Sequence, residues 1–267
     1  MLRMRSLDIM GYVKTNVPTI SPTDLATKAR DILRDFKLRI LPVVEDDKLI
    51  GIITRISILT ITSSKSNLLV RDIMEEPKVV LKPGFSLKKA VREMLKVDVW
   101  YAPVVSEDNK FIGIFGLENV IKKFYNEDIP VNNKPIEEFM TTDVVTISSD
   151  DEVSVILHKM LKYRFSGLPV VDDRRRVVGI VTEYDILKFG MSRILLESER
   201  SKGYRRVRAR EIMSTAVYKV TPNTPLRSVA KIMVEKDIGR VVVVNEKNEL
   251  IGIVDREDVV RAYMKYM

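Results

Sequence analysis

The sequence predicts an α+β (α/β) fold built from one small unit repeated four times, each unit having a three-stranded sheet and two helices. Three features recur in the same order: a short tag, a β-hairpin, and a glycine in the second hairpin strand followed by a helix. The glycines are Gly51, Gly113, Gly179 and Gly252, and steps of roughly 60 to 75 residues fit whole domains rather than solenoid turns. The predicted units cover residues 6–62, 69–126, 135–196 and 210–267.

Each unit opens with a tag of one acidic residue, one hydrophobic residue and methionine, at residues 8–10, 72–74, 138–140 and 211–213. We assign each tag to the unit that it precedes. Short hydrophobic runs after two of the tags, residues 17–20 and 144–147, are predicted first strands. The polar, turn-rich residues 126–135 are predicted to link the second and third units.

The third unit carries the clearest candidate for binding chemistry. Residues 169–171 and 177–181 are β-branched runs joined by a polar turn, which predicts a hairpin. Gly179 would let a ligand or another backbone approach the strand closely. Thr182 stands where the strand meets a helix, and Asp185 follows in the first turn, so a hydroxyl, free amides and a carboxylate could hold a phosphorylated ribose. A capped helix whose aspartate offsets the helix dipole would explain the same residues.

Composition excludes several classes of function. The chain has 267 residues, 45% of them hydrophobic, which is enough to bury a substantial core. The absence of cysteine excludes disulfides, thiol catalysis and thiolate metal sites, and a single histidine, His158, excludes a two-histidine metal site. No apolar run approaches the length of a membrane span, and we expect a cytoplasmic protein. No activated nucleophile or acid–base pair stands at a motif spacing, so we expect no catalysis and no metal.

The repeated strand-glycine-helix pattern resembles tandem cystathionine-β-synthase (CBS) domains over nearly the whole chain. Four-domain members of this family include stand-alone prokaryotic proteins and the γ regulatory subunit of AMP-activated kinase. The resemblance implies that units one and two, and units three and four, pair into two pseudo-symmetric Bateman modules in a disc-like arrangement. It also implies that clefts between paired units bind adenosine-containing ligands.

The resemblance places the best site in the third unit. Thr182 and Asp185 would take phosphate and ribose, and Arg240 of the fourth unit matches a phosphate-contacting arginine that could reach the same nucleotide. Trp100 and Tyr101 would stack on a base or close the cleft, and we favour closure. The base would lie against residues of the first strand and the hairpin start, which are Val145, Thr146, Ser166, Gly167 and Leu168.

The other units carry the pattern in part. Thr54 is kept in the first unit, and Arg39 matches a second phosphate-binding arginine or is a solvated edge-strand residue. Asn119 replaces the aspartate in the second unit, whereas Asp258 occupies the ribose position in the fourth. Asp255 replaces the threonine there and would repel a phosphate, so S-adenosylmethionine, with its cationic sulfonium, is an alternative ligand for that site.

We therefore expect a regulatory sensor that binds AMP, ADP or ATP and signals to a regulated protein partner or within a homodimer. Two other functions stay open. The basic linker, residues 200–210 around Tyr204, together with the net charge of +8, could bind nucleic acid. A scaffold with empty clefts could serve only for dimerisation.

Overall fold

Each repeated unit folds as a helix, an antiparallel hairpin and a second helix. The computed structural model describes residues 8–61, 67–189 and 206–267. The strands are β1 (Ile40–Glu45), β2 (Lys48–Thr54), β3 (Tyr101–Val105), β4 (Phe111–Gly116), β5 (Ile147–Ser148), β6 (Gly167–Val171), β7 (Val177–Thr182), β8 (Lys219–Val220), β9 (Arg240–Val244) and β10 (Leu250–Asp255). The helices are α1 (Ala26–Asp35), α2 (Arg55–Leu59), α3 (Leu87–Lys96), α4 (Glu118–Phe124), α5 (Val153–Tyr163), α6 (Glu183–Lys188), α7 (Ala209–Ile212), α8 (Leu226–Glu235) and α9 (Arg256–Tyr263). Within these ranges, no helix has the length and apolarity that crossing a bilayer requires.

The four hairpins share one register, in which each repeated glycine lies opposite the same strand position. Gly51 pairs with Val43, and Gly179 pairs with Val170. A third strand is present in the last two units, where β5 and β8 run parallel to β6 and β9. In the first unit, the predicted strand 17–20 is reduced to a bridge at Ile20, since Pro18 has no N–H to donate to a ladder. In the third unit, the predicted strand 144–147 begins only at Ile147.

The tags are exchanged between paired units, which the sequence reading did not anticipate. Each tag segment donates a backbone hydrogen bond to the unit with which its own unit pairs: Ile9 to Phe85 (3.1 Å), Val70 to Asp24 (2.8 Å), Ile136 to Thr224 (2.8 Å) and Ala209 to Asp151 (2.9 Å). Each tag therefore precedes its own unit along the chain but packs against the paired unit. The exchange joins residues 8–61 and 67–126 into a first module and residues 136–189 and 206–267 into a second, the pairing expected for Bateman modules.

The repeated glycines make room for the exchanged tags. A Cβ atom placed on Gly179 would lie 2.6 Å from Sδ of Met213, and one on Gly252 would lie 2.6 Å from Sδ of Met140. On Gly113 it would collide with the carbonyl oxygen of Lys14. A strand glycine was expected to admit either a ligand or another chain segment, and the structure supports the close approach of another chain segment.

Two hydrophobic cores hold the modules together, and each core spans both modules. One contains buried side chains of the first and third units, such as Leu33 and Ile156, and the other combines the second and fourth units. In the second core the rings of Phe124 and Tyr263 lie 5.7 Å apart. The Tyr263 hydroxyl donates to the side-chain oxygen of buried Asn132 (2.7 Å), so the predicted linker 126–135 is anchored between the modules.

We predict that Gly113→Ala lowers the free energy of unfolding by about 1 to 3 kcal/mol, because the new methyl group would overlap a backbone atom of the exchanged segment. A glycine-to-alanine change in a strand without this contact would instead be neutral or stabilising. Gly11→Ala, in the 3-10 helix Ile9–Tyr12 rather than in a strand, is the control for added volume, since no atom lies within 4 Å of its Cβ position. Urea denaturation of both variants checks the prediction, and equal stabilities would contradict it.

Candidate functional site

A cavity of about 850 Å³ lies where the four units meet. Its walls come from both modules, and this agrees with the expected arrangement of four units around a common centre. Six of the residues predicted from the sequence line it or contribute to its wall: Arg39, Asn119, Ser166, Thr182, Asp185 and Arg240. Tyr101, one of the two aromatic residues expected to stack on a base or close the cleft, also lines it. Further lining residues that were not selected from the sequence include Tyr12, Lys14, Arg55, Glu118, Lys122, Tyr184, Ser214, Tyr218 and Asp237.

Two arginines from different modules meet over one tryptophan at this centre. The Cζ atom of Arg39 lies 5.8 Å from the ring centroid of Trp100, and the Cζ atom of Arg240 lies 5.5 Å from it. Arg240 also donates through Nη2 to the hydroxyl of Ser166 (3.1 Å). Guanidinium groups over an indole ring gain cation–π attraction, so Trp100 holds two like charges near each other. We call Arg39, Trp100 and Arg240 the junction.

Two glycines make the junction possible. The start of each hairpin offers the same two positions, which hold Arg39 and Ile40, Trp100 and Tyr101, Ser166 and Gly167, and Gly239 and Arg240. A Cβ on Gly167 would lie 2.5 Å from Nη1 of Arg240, and a Cβ on Gly239 would lie 2.7 Å from Cζ3 of Trp100. Arg240 of the fourth unit thus fills the space that Gly167 leaves in the third unit, and Trp100 of the second unit fills the space at Gly239 of the fourth. Trp100 packs into the wall, which agrees with the closure interpretation.

Positive charge dominates the electrostatics around the junction. Burial lowers the pKa of Arg240, the carboxylate of Asp255 on the neighbouring strand opposes this shift, and the charge of Arg39 adds to it. Burial, aided by Arg39, also lowers the pKa of Arg55 to about 10. Arg55 is fixed by donating to the carbonyl oxygens of Leu38 (2.7 Å) and Lys37 (2.8 Å). Crowded, desolvated cations of this kind are stabilised by an anion.

The half-buried carboxylate of Glu183, together with that of Asp255, partly balances these cations. Burial raises the pKa of Glu183, while Arg55 and, more weakly, Arg240 and Arg39 oppose that rise. Glu183 holds the repeat position that Arg55 and Arg256 hold in the first and fourth units. A charged residue stands at this position in three of the four units. The sequence alone could therefore have indicated a site residue here, but this position was not selected.

Thr182 and Asp185 line the cavity and cap α6 at the same time. The Thr182 amide and hydroxyl both donate to Oδ2 of Asp185 (2.8 and 2.6 Å). Thr182 Oγ1 lies 3.3 Å from the Asp185 amide, which completes a reciprocal capping box. The capping explanation is therefore realised, and the same two side chains also face the cavity.

The residues expected to hold a base are divided: Ser166 lines the cavity and Gly167 pairs with Thr182 across the hairpin, whereas the other three are not among the lining residues. Leu168 is buried in the core, and Val145 packs against that core. The carbonyl oxygen of Thr146 accepts a hydrogen bond from Lys159 (3.2 Å), and Gly167 borders Arg240. Because the tags are exchanged, the segment beside Thr182 in the cavity wall precedes the fourth unit instead, and it contributes Ser214, Ala216, Val217 and Tyr218.

The half-site of the first unit is filled by the protein itself. The carboxylate of Glu75, which follows the exchanged tag of the second unit, accepts hydrogen bonds from Ser57 (2.5 Å) and Thr54 (3.3 Å). In the second unit, Asn119 donates to the carbonyl oxygens of Tyr12 and Gly116 (3.1 Å each). Asn119 therefore ties the exchanged segment to the cavity wall.

The half-site of the fourth unit is acidic and lies apart from the lining of the cavity. Asp255 accepts from the amides of Glu257 (2.8 Å) and Asp258 (3.2 Å), and Asp258 accepts from the amide of Asp255 (2.9 Å). Burial, with the charge of Asp255, raises the pKa of Asp258 to about 7. Within the described residues, no three acidic or histidine side chains are grouped so that they could hold a metal ion.

The described part of the basic linker is engaged in ion pairs. Arg206 pairs with Glu152 (2.9 Å), Arg208 pairs with Asp150 (2.9 Å), and Arg210 also pairs with Asp150. Residues 200–205, with Tyr204, lie outside the described residues. The arginines at 206–210 are thus fixed against the start of α5.

The chain belongs to the CBS domain family, whose model matches residues 8–63, 70–126, 136–192 and 209–265. It is 30% identical over 269 residues to protein MJ1225 of Methanocaldococcus jannaschii, which covers 92% of this chain and 95% of that protein. The crystal structure of MJ1225, proposed as an archaeal homolog of γ-AMPK, matches 96% of this chain and 100% of that one at a TM-score of 0.86 and 28% identity.

Two other matches are informative in different ways. A conserved protein from Pyrococcus horikoshii has the same fold over 96% of this chain and 99% of its own, with a TM-score of 0.65 and 24% identity. L-aspartate semialdehyde sulfurtransferase of Methanocaldococcus jannaschii is 40% identical over 118 residues, which are 44% of this chain and 22% of that enzyme. The likeness to the enzyme is thus confined to a minor part of it.

We predict that Asp258→Asn changes how stability depends on pH. Because the pKa of Asp258 is raised, the folded state still binds a proton there at pH values at which the unfolded state has released it. The stabilisation from this bound proton is full below about pH 4 and is lost as the pH rises to about 7. Asparagine stays neutral, so the variant should match the wild type near pH 4 and exceed it by about 1 to 2 kcal/mol at pH 8.

Urea denaturation at both pH values measures this difference. Asp172→Asn serves as a control of opposite sign, because the hydrogen bond from Arg176 lowers the pKa of Asp172 and its contribution is lost as the pH falls. A constant difference between Asp258→Asn and the wild type from pH 4 to 8 would contradict the prediction.

Proposed function

We propose that this chain is a cytoplasmic, non-catalytic regulatory protein that binds an adenine nucleotide in the central cavity and reports the bound state to a protein partner. The observation that carries the proposal is the junction, where Arg39 of the first module and Arg240 of the second lie over Trp100 beside the cavity. A phosphate bound there would be contacted by both modules. Guanidinium groups are suited to phosphate because they offer paired N–H donors with a fixed charge.

The cavity walls favour an anionic ligand. Besides the two junction arginines, the lining contains Arg55, Lys14, Lys37 and Lys122, against the carboxylates of Glu118, Asp185 and Asp237. Asp185 can accept hydrogen bonds from ribose hydroxyls while its other interactions cap α6. AMP, ADP and ATP all combine such a ribose with phosphate, and the surplus of cations supports them over uncharged adenosine.

A ligand that bridges the modules can act as a signal. Ligand binding shifts a conformational equilibrium only by its difference in affinity between two arrangements. A phosphate that contacts both Arg39 and Arg240 would bind more tightly when the two modules hold these arginines close together than when the modules move them apart. A protein partner would then bind that arrangement preferentially. In a homodimer, the second copy of the chain would take the place of that partner.

Several features support regulation rather than catalysis. The acidic side chains Asp185 and Asp258 cap helices in two different units, so they form no acid–base pair. The match to an enzyme covers 22% of that enzyme. At the acidic half-site of Asp255 and Asp258, a cationic ligand such as S-adenosylmethionine is the alternative, because carboxylates there would repel phosphate.

We predict that ATP, ADP or AMP binds the wild type with micromolar affinity and that Arg240→Gln and Asp185→Asn each weaken it at least tenfold. A tenfold loss corresponds to about 1.4 kcal/mol. Calorimetric titration measures the affinity, with S-adenosylmethionine and adenosine titrated alongside. Trp100 is the single tryptophan of the chain, so a change in its fluorescence reports ligand at the junction independently.

The chain offers matched controls for both substitutions. Asp258→Asn removes the equivalent charge of the fourth unit outside the cavity lining, and Arg261→Gln removes an exposed arginine that pairs with Glu257. Both should bind the nucleotide like the wild type. Equal weakening by the control substitutions, or no heat with any of the five compounds, would overturn the proposal and leave the dimerisation scaffold as the better explanation.

A further inference from the structure

Helix α5 of the third unit and the residues just after it expose several large apolar side chains. Val155 and Leu161 are each 44% exposed, and Tyr163 and Phe165 are 43% and 41% exposed. The rings of Tyr163 and Phe165 stack at 5.9 Å with an angle of 17° between their planes. We call this surface the α5 patch and define it as Val155, Leu161, Lys162, Tyr163, Arg164 and Phe165.

The sister helices show that the fold does not require an apolar residue on this face. The four helices that precede the hairpins align without gaps, because each begins at the same distance before its hairpin. At the position of Val155 they carry Lys28, Lys89 and Ser228, and at the position of exposed His158 they carry Asp31, Arg92 and Lys231. The position of Tyr163 also carries an exposed aromatic residue, Phe36, in the first unit, so the apolar character that sets α5 apart lies at Val155. Exposed apolar side chains that the fold does not require are typical of an interaction surface.

The charges of the α5 patch decide what kind of partner fits it. Lys162 and Arg164 flank the aromatic pair, and neither forms an ion pair with a carboxylate in the described ranges. The acidic residues at the opposite end of α5, Asp150 and Glu152, are already paired with arginines of residues 206–210. A second copy of this chain would therefore bring cations against cations, whereas an acidic partner would pair with both.

We propose that the α5 patch docks an acidic segment of a protein partner, with apolar side chains of that segment on the aromatic pair and carboxylates on Lys162 and Arg164. Exposed aromatic side chains flanked by cations supply the anchors that dominate such interfaces. The inference deepens the proposed function by locating its partner, yet docking at this surface does not require a nucleotide in the cavity.

The probe is a phage-displayed library of random peptides, selected on the immobilised full chain. Peptides that recur are synthesised with a fluorescent label, and their binding is measured by fluorescence anisotropy. We expect the recurring peptides to combine Asp or Glu with an aromatic or aliphatic residue. Versions in which lysine replaces each acidic residue should bind at least tenfold more weakly.

The fourth unit supplies the substitutions that test the charges. Lys162→Glu and Arg164→Asp together introduce the residues that the fourth unit carries at these positions, Glu235 and Asp237. Asp237 has the same left-handed backbone as Arg164, with φ of 49° and 58°, so the double variant should fold. We expect it to lose at least tenfold in affinity for the acidic peptides.

The control repeats the charge reversal on a distant surface. Arg175 lies at the hairpin tip of the same unit with φ of 58°, and the first unit carries Asp47 at that position with φ of 63°. Arg175→Asp should bind the peptides like the wild type.

The apolar part of the α5 patch is tested by Val155→Ser, which introduces the residue of the fourth unit. Its control is Val178→Ser, because Val178 is 36% exposed and alternates with the buried residues of β7. Val155→Ser should weaken peptide binding severalfold, and Val178→Ser should leave it unchanged.

Three results would overturn the inference. The recurring peptides could be neutral or basic, the α5 variants could bind them as the wild type does, or sedimentation could show a dimer that Lys162→Glu with Arg164→Asp dissociates. The last result would assign the patch to a second copy. Titration of ATP into the same α5 variants separates this inference from the proposed function, because the patch substitutions should leave the cavity intact.

Discussion

The exchange of tags between paired units is the constraint on which the rest of the structure depends. Each tag packs on a strand where a side chain would occupy the space of methionine or backbone, as Gly179 and Met213 illustrate. The same crossing buries Ile9 and Val70 in cores that belong to partner units. A unit without its partner would lose a strand neighbour and part of its core, so the unit by itself is not an independent folding entity. The cavity wall inherits this geometry, because the segments after the tags form part of it.

Repetition creates equivalent positions, and the function resides in how the four copies differ at them. At the hairpin start, two copies supply arginine, one supplies tryptophan, and glycine makes room for these side chains. Four identical side chains could not satisfy this centre, since four arginines would repel each other and four tryptophans would not fit. Because the four copies carry different side chains at equivalent positions, the repeated fold has a single asymmetric centre.

The repeat and the hairpins could be predicted because they rest on local patterns such as the recurring strand glycine, whereas the pairing of units was implied by the family resemblance. Asp185 was selected from its place in the repeat and Arg39 and Arg240 from the resemblance, and all three line the cavity. The placement of Val145 and Thr146 beside Thr182 was not reproduced, because the exchange of tags is a long-range event that no local pattern records. The filling of the first half-site by Glu75 depends on the same crossing. The first strand is also shorter than its hydrophobic run suggests, because the proline at residue 18 cannot extend the ladder.

The unequal half-sites explain why one central cavity suits a signal between modules. Glu75 already satisfies the hydroxyls of the first half-site, and the carboxylates of Asp255 and Asp258 make the fourth one acidic. The second and third half-sites instead open into the shared cavity, where Asn119 and Asp185 face it from different modules. An anion at the junction would thus contact both modules, whereas a ligand in an outer half-site would contact chiefly one. Coupling between modules requires the first kind of contact, because only a ligand held by both changes the energy of their relative placement.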